Sequence, residues 1–165
     1  MADTPLTYES AGVNIDEAQR TLRNVSAAIK STYTPAVTAG IGGFGSLFQL
    51  DLSAYQRPLL VTSIDGVGTK TRVASMAGKY DGLGKDIVNH CVNDILCQGA
   101  QPLYFLDYFG TSKLEPEIFE AIVTSMADAC KEIGIALVGG ETAELPGVYT
   151  TSEFDVVGTI VGIVD

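Results

Sequence analysis

Apolar runs of strand type alternate with helical repeats along this 165-residue chain, and two of the runs end in glycine beside an acid. They are "RPLLVTSIDG", residues 57–66, and "IALVGGE", residues 135–141. Short apolar runs bounded by glycine predict strands, and apolar residues three or four apart predict helices. Elements that alternate in this way pack in layers around one core. We therefore expect a single α/β domain with candidate functional acids where strands end.

The other helices and strands are predicted from helical spacing and from the prolines and glycines that begin or end them. Helices are predicted from Ile15 to about Tyr33 and over 70–79, 85–98 and 115–133, and strands near 46–50 and over 57–65, 102–110, 135–140 and 153–164. Residues 1–12 are predicted to be mobile. The pattern indicates α+β layers, with helices on one face of a mostly antiparallel sheet. Because the other face is strongly apolar, we expect a second copy of the chain to cover it.

Charge and composition argue against several classes of protein. Twenty acidic against ten basic residues give a net charge of -10, which argues against a nucleic-acid partner. No run approaches the roughly 20 apolar residues of a membrane span, and the first residues lack the features of a signal peptide. We therefore expect a cytoplasmic protein with no membrane partner. Three cysteines without CxxC spacing are expected to be reduced.

The segment "GIGGFG", residues 40–45, matches the dinucleotide-binding pattern GxGxxG in letters only. That motif needs a strand before it and a helix after it, whereas a loop precedes this segment and a predicted strand follows. A dinucleotide site is therefore rejected. Two interpretations remain open, a glycine loop that closes over a ligand and a plain linker.

The strongest local candidate for a ligand site is "DGVGTK", residues 65–70, at the end of a predicted strand. Asp65 could bind Mg²⁺, and Gly66 and Gly68 let backbone amides approach an anion. Thr69 and Lys70 then begin a predicted helix, whose first amides could bind phosphate. The Walker pattern is absent, so any phosphate is held by another architecture. An ordinary tight turn with a solvated lysine explains the same residues equally well.

A second acid, Asp94, lies late in the predicted helix over 85–98. A carboxylate near a helix C-terminus is disfavoured by the macrodipole, so a metal ion or a lysine should compensate it. The alternative is a structural role, in which Asp94 binds a backbone amide or an ion-pair partner. The only histidine, His90, is predicted to be a helix-surface residue rather than a ligand or a catalytic group. Helical spacing nevertheless aligns one stripe of Asp86, His90, Asn93 or Asp94, and Cys97.

The second combination of strand, glycine and acid offers Gly139, Gly140, Glu141 and Thr142. Mg²⁺ prefers oxygen ligands and often links carboxylates to substrate phosphates. The resulting hypothesis is one metal site made by Asp65, Asp94 and Glu141. Asp107, an acid inside the apolar strand "YFLDYF", either faces this site or pairs with a base, and the sequence leaves both alternatives open.

Three long segments, "DGVGTK", "CVNDILCQGAQPLYFLDYF" and "ALVGGETAELPGVY", together resemble the phosphoribosylformylglycinamidine cyclo-ligases, the aminoimidazole ribonucleotide synthetases of purine biosynthesis. The segments "YESAGVNIDEA" and "GGFG" resemble that family as well, so the similarity covers nearly the whole chain. Selenophosphate synthetases, for which an early reactive cysteine is expected, and thiamine monophosphate kinases, which favour adjacent aspartates, fit less well.

The resemblance implies an ATP-dependent ring closure, in which ATP phosphorylates the formamide oxygen of formylglycinamidine ribonucleotide and an amidine nitrogen closes the imidazole. It implies catalytic roles, with Mg²⁺ and ATP, for Asp65, Lys70 and Asp94. It extends the ATP contacts to Gly66, Gly68, Thr69, Gly139, Gly140, Glu141 and Thr142. The family's first domain also pairs in a homodimer into a shared β-barrel, and a second α/β domain closes the cleft.

The resemblance implies that residues 1–165 correspond to the N-terminal ATP-binding and dimerisation domain of this two-domain enzyme, without its C-terminal domain. We therefore expect the isolated domain to fold and dimerise yet turn over little or no substrate. The competing hypothesis is a non-catalytic nucleotide-binding or dimerisation module of the same superfamily.

Overall fold

The computed structural model describes Thr7 and residues 14–165. Its elements follow in the order α1 (Ile15–Lys30), β1 (Val37–Ala39), β2 (Leu47–Phe48), β3 (Leu59–Gly66), α2 (Lys70–Ala77), α3 (Asp81–Leu96), β4 (Gln101–Thr111), α4 (Pro116–Ile133), β5 (Ala136–Glu144) and β6 (Phe154–Val164). The mobility predicted for residues 1–12 concerns positions that, apart from Thr7, lie outside the described residues.

The predicted helices and strands are all present, and their bounds differ where packing or a turn intervenes. Helix α3 begins at Asp81, before the predicted start, although Gly82 and Gly84 lie in its first turns. A Cβ on Gly84 would lie 2.2 Å from the carbonyl oxygen of Ile122 in α4. Close packing of the two helices therefore overrides the low helix propensity of glycine. Strand β1 was not predicted, and β2 is shorter than predicted.

Four strands form one sheet in the order β3-β6-β4-β5. Strand β6 pairs antiparallel with both of its neighbours, whereas β4 and β5 run parallel. The sheet is therefore mixed, where the sequence predicted a mostly antiparallel one. The parallel pair arises because α4 connects β4 to β5 as a crossover helix. Strands β1 and β2 form a separate antiparallel ribbon.

Helices α3 and α4 cover one face of the sheet. The side chain of Ile87 in α3 lies over Gly158 of β6, and Phe109 of β4 packs edge-on against a phenylalanine of α4. On the opposite face, Leu60 and Ile64 of β3 are 58% and 68% exposed. This exposed apolar surface is the one for which the sequence predicts a second copy of the chain, and the dimer stays a prediction.

Two expectations from composition concern membranes and thiols. None of the helices in the described part of the chain has the length and apolar content needed to cross a bilayer. The three cysteines carry free thiols, as predicted: Cys91, Cys97 and Cys130. Burial raises the pKa of the Cys91 thiol to about 11, so this neighbour of His90 is a protonated core residue at neutral pH.

Candidate functional site

Two polar residues of α3, one helical turn apart, face the end of β3. The Nε2 atom of His90 lies 2.7 Å from Oδ2 of Asp65. Oδ2 of Asp94 accepts a 2.8 Å hydrogen bond from the hydroxyl of Ser63. Residues four apart share a helix face and residues two apart share a strand face, so two polar pairs lie side by side. One potential ligand atom from each of Asp65, His90 and Asp94 lies within 4.8 Å of the others. We call these three residues the Asp-His-Asp cluster.

The carboxylate of Asp65 has two hydrogen-bond donors. Its Oδ1 accepts a 2.7 Å bond from the backbone N–H of Gly66, and its Oδ2 faces His90. The amide first, and the imidazole second, hold the pKa of Asp65 below its ordinary value. The side chains of Asp65 and His90 are 45% and 52% exposed. The cluster therefore presents an ionised acid to solvent and to any ligand that arrives from it.

The donor set of the cluster fits a divalent cation. Two carboxylates and one imidazole are ligand types found for several divalent metals. Asp65 and Asp94 were predicted to share such a site, and the structure brings them together. His90 is exposed on the helix surface, as predicted, and only its contact with Asp65 was missed. The signal that could have found it is the four-residue spacing between His90 and Asp94, because that spacing puts both on one helix face.

The turn from β3 into α2 lies beside the cluster. Gly68 has a φ of 68°, in the left-handed region where glycine is favoured, and Thr69 takes the N-cap position of α2. Both residues line a cavity of about 630 Å³. The side chain of Lys70 donates a 2.7 Å hydrogen bond to Asp86 of α3, one turn before His90. Lys70 therefore forms an ion pair with Asp86, the first residue of the stripe that the sequence predicted on α3.

The second group of predicted site residues lies elsewhere. Gly139, Gly140, Glu141 and Thr142 are on β5, at the opposite edge of the sheet from β3. Three strand spacings, about 14 Å, separate these edges. Glu141 therefore does not join Asp65 and Asp94 within the described chain, and His90 lies beside them instead. A role of Glu141 in metal binding stays a prediction.

The residues of β5 line a second and larger cavity. It has a volume of about 990 Å³, and its walls include β5, parts of α1 and α4, and the glycine-rich segment 40–45. Phe44 of that segment is fully exposed. The segment therefore borders a cavity rather than merely linking two elements, and its closure over a ligand stays a prediction.

Asp107 lies in the wall of this larger cavity, not beside the Asp-His-Asp cluster. Its carboxylate leans over Gly140 of the paired strand, where a Cβ would lie 2.1 Å from Oδ1 of Asp107. No ion pair joins Asp107 to a base within residues 14–165. Burial raises the pKa of Asp107 to about 7. The carboxyl group therefore takes neither of the two predicted alternatives, because it lines the larger cavity instead of facing the Asp65 site and has no ion pair within residues 14–165.

Known proteins are similar to this chain in sequence and in fold. The family described as "AIR synthase related protein, N-terminal domain" matches residues 51–164. The phosphoribosylformylglycinamidine cyclo-ligase of Alkaliphilus metalliredigens (strain QYMF) is 52% identical over 165 residues, which are 100% of this chain and 48% of that protein. The chain thus spans about half the length of the curated relatives it matches.

Solved structures share the fold at lower identity. Thiamine-monophosphate kinase from Stenotrophomonas maltophilia K279a has a TM-score of 0.65 at 20% identity, over 87% of this chain and 42% of that one. The hydrogenase maturation protein HypE in complex with ATP has a TM-score of 0.61 at 23% identity, over 93% and 42%. The chain belongs to the family of AIR synthase related proteins, and throughout its length its sequence resembles the phosphoribosylformylglycinamidine cyclo-ligases.

Proposed function

We propose that this chain is the ATP-binding and metal-binding domain of an enzyme that converts formylglycinamidine ribonucleotide to aminoimidazole ribonucleotide in purine biosynthesis. The names of relatives about half identical to it support this assignment. So does the crystallised complex of HypE with ATP, a protein of the same fold. The observation that carries the proposal is the meeting of Asp65 and Asp94, from two separate elements, within 4.8 Å at the turn into α2.

In the proposed reaction, the γ-phosphoryl group of ATP passes to the formamide oxygen of the substrate. An amidine nitrogen then attacks the activated carbon, the ring C–N bond forms, and phosphate leaves. Such transfer depends mainly on positioning and on charge neutralisation, and a bound Mg²⁺ would supply the latter. Asp65 and Asp94 would hold that ion.

The turn residues would hold the phosphates. The backbone amides of Gly68 and Thr69 stand at the start of α2, where a helix favours an anion, while the amide of Gly66 stays bound to Asp65. Lys70 would exchange its carboxylate partner for a phosphate oxygen. Breaking its ion pair with Asp86 costs little free energy. The two side chains are 55% and 46% exposed, and exposed ion pairs stabilise a protein by roughly 0–1 kcal/mol.

The second site region would bind another part of the nucleotide or substrate. We assign this role to the cavity walls formed by Gly139, Gly140, Glu141 and Thr142. From the resemblance we also propose that a second copy of the chain covers the face of Leu60 and Ile64, and that a second α/β domain closes the cleft. Sedimentation of the 165-residue chain as a monomer at micromolar concentrations would contradict the homodimer.

Calorimetric titration of the chain with ATP in the presence of Mg²⁺ tests the binding proposal. We expect saturable binding, and no ADP release that depends on formylglycinamidine ribonucleotide in the chain alone. Asp65→Asn should weaken the binding by about tenfold or more. Asp16→Asn removes an equal charge from the first turn of α1 and should leave it unchanged. Unaltered affinity of a folded Asp65→Asn variant, or no binding by the wild-type chain, would contradict the proposal.

A further inference from the structure

We propose that His90 is a metal ligand, and that the Asp-His-Asp cluster binds a first-row transition-metal ion such as Mn²⁺ through one imidazole nitrogen and two carboxylates. The inference deepens the proposed function, because both use Asp65 and Asp94. It needs no nucleotide, however, so the two can fail separately.

The spacing of the ligand atoms suits a single ion. Metal–ligand distances of about 2.0–2.2 Å allow ligand atoms as far as roughly 4.4 Å apart around one ion. The three atoms of the cluster lie within 4.8 Å of one another, and the shortest separation is the 2.7 Å between His90 Nε2 and Asp65 Oδ2. Small side-chain rotations therefore bring all three to one ion, which would replace the direct contact of His90 with Asp65.

The residues around the cluster hold its carboxylates in place. The amide of Gly66 binds Oδ1 of Asp65, and Oδ2 of Asp65 is left facing His90. The hydroxyl of Ser63 binds Oδ2 of Asp94. Partners of this kind orient metal ligands and are themselves important for affinity. Each carboxylate is thus held through one oxygen and keeps the other for a ligand.

The residue that contacts the carboxylate of Asp65 is His90, and an imidazole is itself a common metal ligand. Lys70 of α2 contacts Asp86, one turn before His90 on α3, and leaves Asp65 to the imidazole. An ammonium group at that place could only compensate charge, whereas an imidazole can also donate a lone pair to a metal. The geometry therefore permits a third protein ligand where a lysine would exclude one.

An imidazole ligand changes which metal the site prefers. Mg²⁺ favours oxygen ligands and gives up its waters reluctantly. Nitrogen ligands favour the later first-row ions, and affinities rise from Mn²⁺ to Cu²⁺ and fall again at Zn²⁺. Among these ions Mn²⁺ accepts carboxylates readily and is paramagnetic, so it serves as the probe. We expect the chain to bind Mn²⁺ at least about tenfold more tightly than Mg²⁺.

Pulsed electron paramagnetic resonance on the chain with Mn²⁺ alone tests the inference. A nitrogen atom bound directly to Mn²⁺ gives a ¹⁴N modulation of the echo. The chain has a single histidine, so an imidazole signal can come only from His90. We expect this signal in the wild-type chain and its loss in His90→Gln, which keeps a side-chain amide to donate to Asp65. Mn²⁺ affinity should fall about tenfold in that variant, and Mg²⁺ affinity should change little.

A matched control separates ligation from charge. Asp81→Asn removes a carboxylate from the first turn of α3, about 13 Å along the helix from His90, and should keep both the signal and the affinity. Bound Mn²⁺ without imidazole modulation would overturn the inference, as would equal Mn²⁺ affinity in His90→Gln or no Mn²⁺ binding at millimolar concentration. If MgATP still binds and Asp65→Asn still weakens it, the proposed function survives that result.

Discussion

Asp65 and Asp107 occupy the same row of the sheet, one on each side of Gly158, and differ in almost every physical property. Asp65 lies on the edge strand β3, where an amide and an imidazole lower its pKa. Asp107 lies on the inner strand β4, where burial raises its pKa to about 7 and its nearest strand neighbour is Gly140. One acid is ionised and partly exposed at the surface, and the other is partly protonated at neutral pH.

The comparison shows that residue type and register do not decide what an aspartate does in this fold. Both side chains point to the helical face, because paired residues in a sheet share a face. Helix α3 brings a polar stripe to the first, and α4 brings the apolar core to the second. The helix above each strand therefore decides whether the carboxyl group lies exposed beside an imidazole or is desolvated, with a raised pKa.

The largest expected effect comes from the glycine between the two acids. In Gly158→Ala the new Cβ would lie 2.3 Å from Cζ of Phe105 and 2.8 Å from Cγ1 of Ile87, both buried. We expect the free energy of unfolding, measured with urea, to fall by about 3 kcal/mol. Gly82→Ala, which has open space around its Cβ inside the same helix layer, should be neutral or stabilising. Equal stability of the two variants would contradict this close contact between α3 and the sheet.

A smaller effect, and one that depends on pH, is expected for Asp107→Asn. The pKa of Asp107 is raised on folding from 3.8 to about 7, so its protonated form favours the folded state. The stabilisation is complete below about pH 4 and is lost as the pH rises through 7. The variant should therefore match the wild type near pH 4 and exceed it at pH 8. We expect a gain of about 2 kcal/mol, below the roughly 4 kcal/mol of a full shift, because the carboxyl group borders a cavity.

Urea unfolding of both proteins from pH 4 to pH 8 measures this difference. Asp65→Asn is the matched control, and its expected sign is opposite. The lowered pKa of Asp65 contributes stability at neutral pH that is lost as the pH falls through the folded-state pKa. A wild-type stability that does not decline relative to Asp107→Asn above pH 6 would contradict the buried character of Asp107.

The smallest expected effect concerns the second contact of the cluster. Ser63→Ala removes the 2.8 Å hydrogen bond to Asp94 and leaves that carboxylate free to rotate. We expect a loss of about 1 kcal/mol in Mn²⁺ binding, or roughly fivefold in affinity, measured by calorimetry. Thr62→Val removes a hydroxyl from the opposite face of the same strand and should have no effect. An unaffected Ser63→Ala variant would show that Asp94 is oriented by other groups.

Much of the site could be predicted, because many of its features depend on residues close together in the sequence. The four helices follow from apolar periodicity, and the stripe of Asp86, His90 and Asp94 follows from the helical repeat alone. The turn after β3 follows from its two glycines, of which Gly68 takes a positive φ. These features depend on residues within a few positions of one another, so a sequence pattern can determine them.

The position of Glu141 was not open to prediction in the same way. In the sequence, the apolar run over 135–141 resembles the run over 57–66 in ending with glycine and an acid, and this similarity predicted one shared site. In the structure β5 continues past Glu141 to Glu144. The structure places the two strands at opposite edges, because β6 and β4 lie between them. Strand order depends on which edges the crossover connections reach, and the local pattern of a strand carries no information about that.

The sequence by itself determined the family, the type and approximate extent of the elements, and the pairing of Asp65 with Asp94 as candidate ligands. Only the tertiary structure decided that His90 lies beside Asp65 and that Asp107 lies in a cavity wall with no ion-pair partner among residues 14–165. The reason is the approach of α3 to β6, where glycines 158 and 162 leave room for Ile87 and Ile95. That fit between residues far apart in the chain sets which face of α3 meets β3, and hence which side chains meet there.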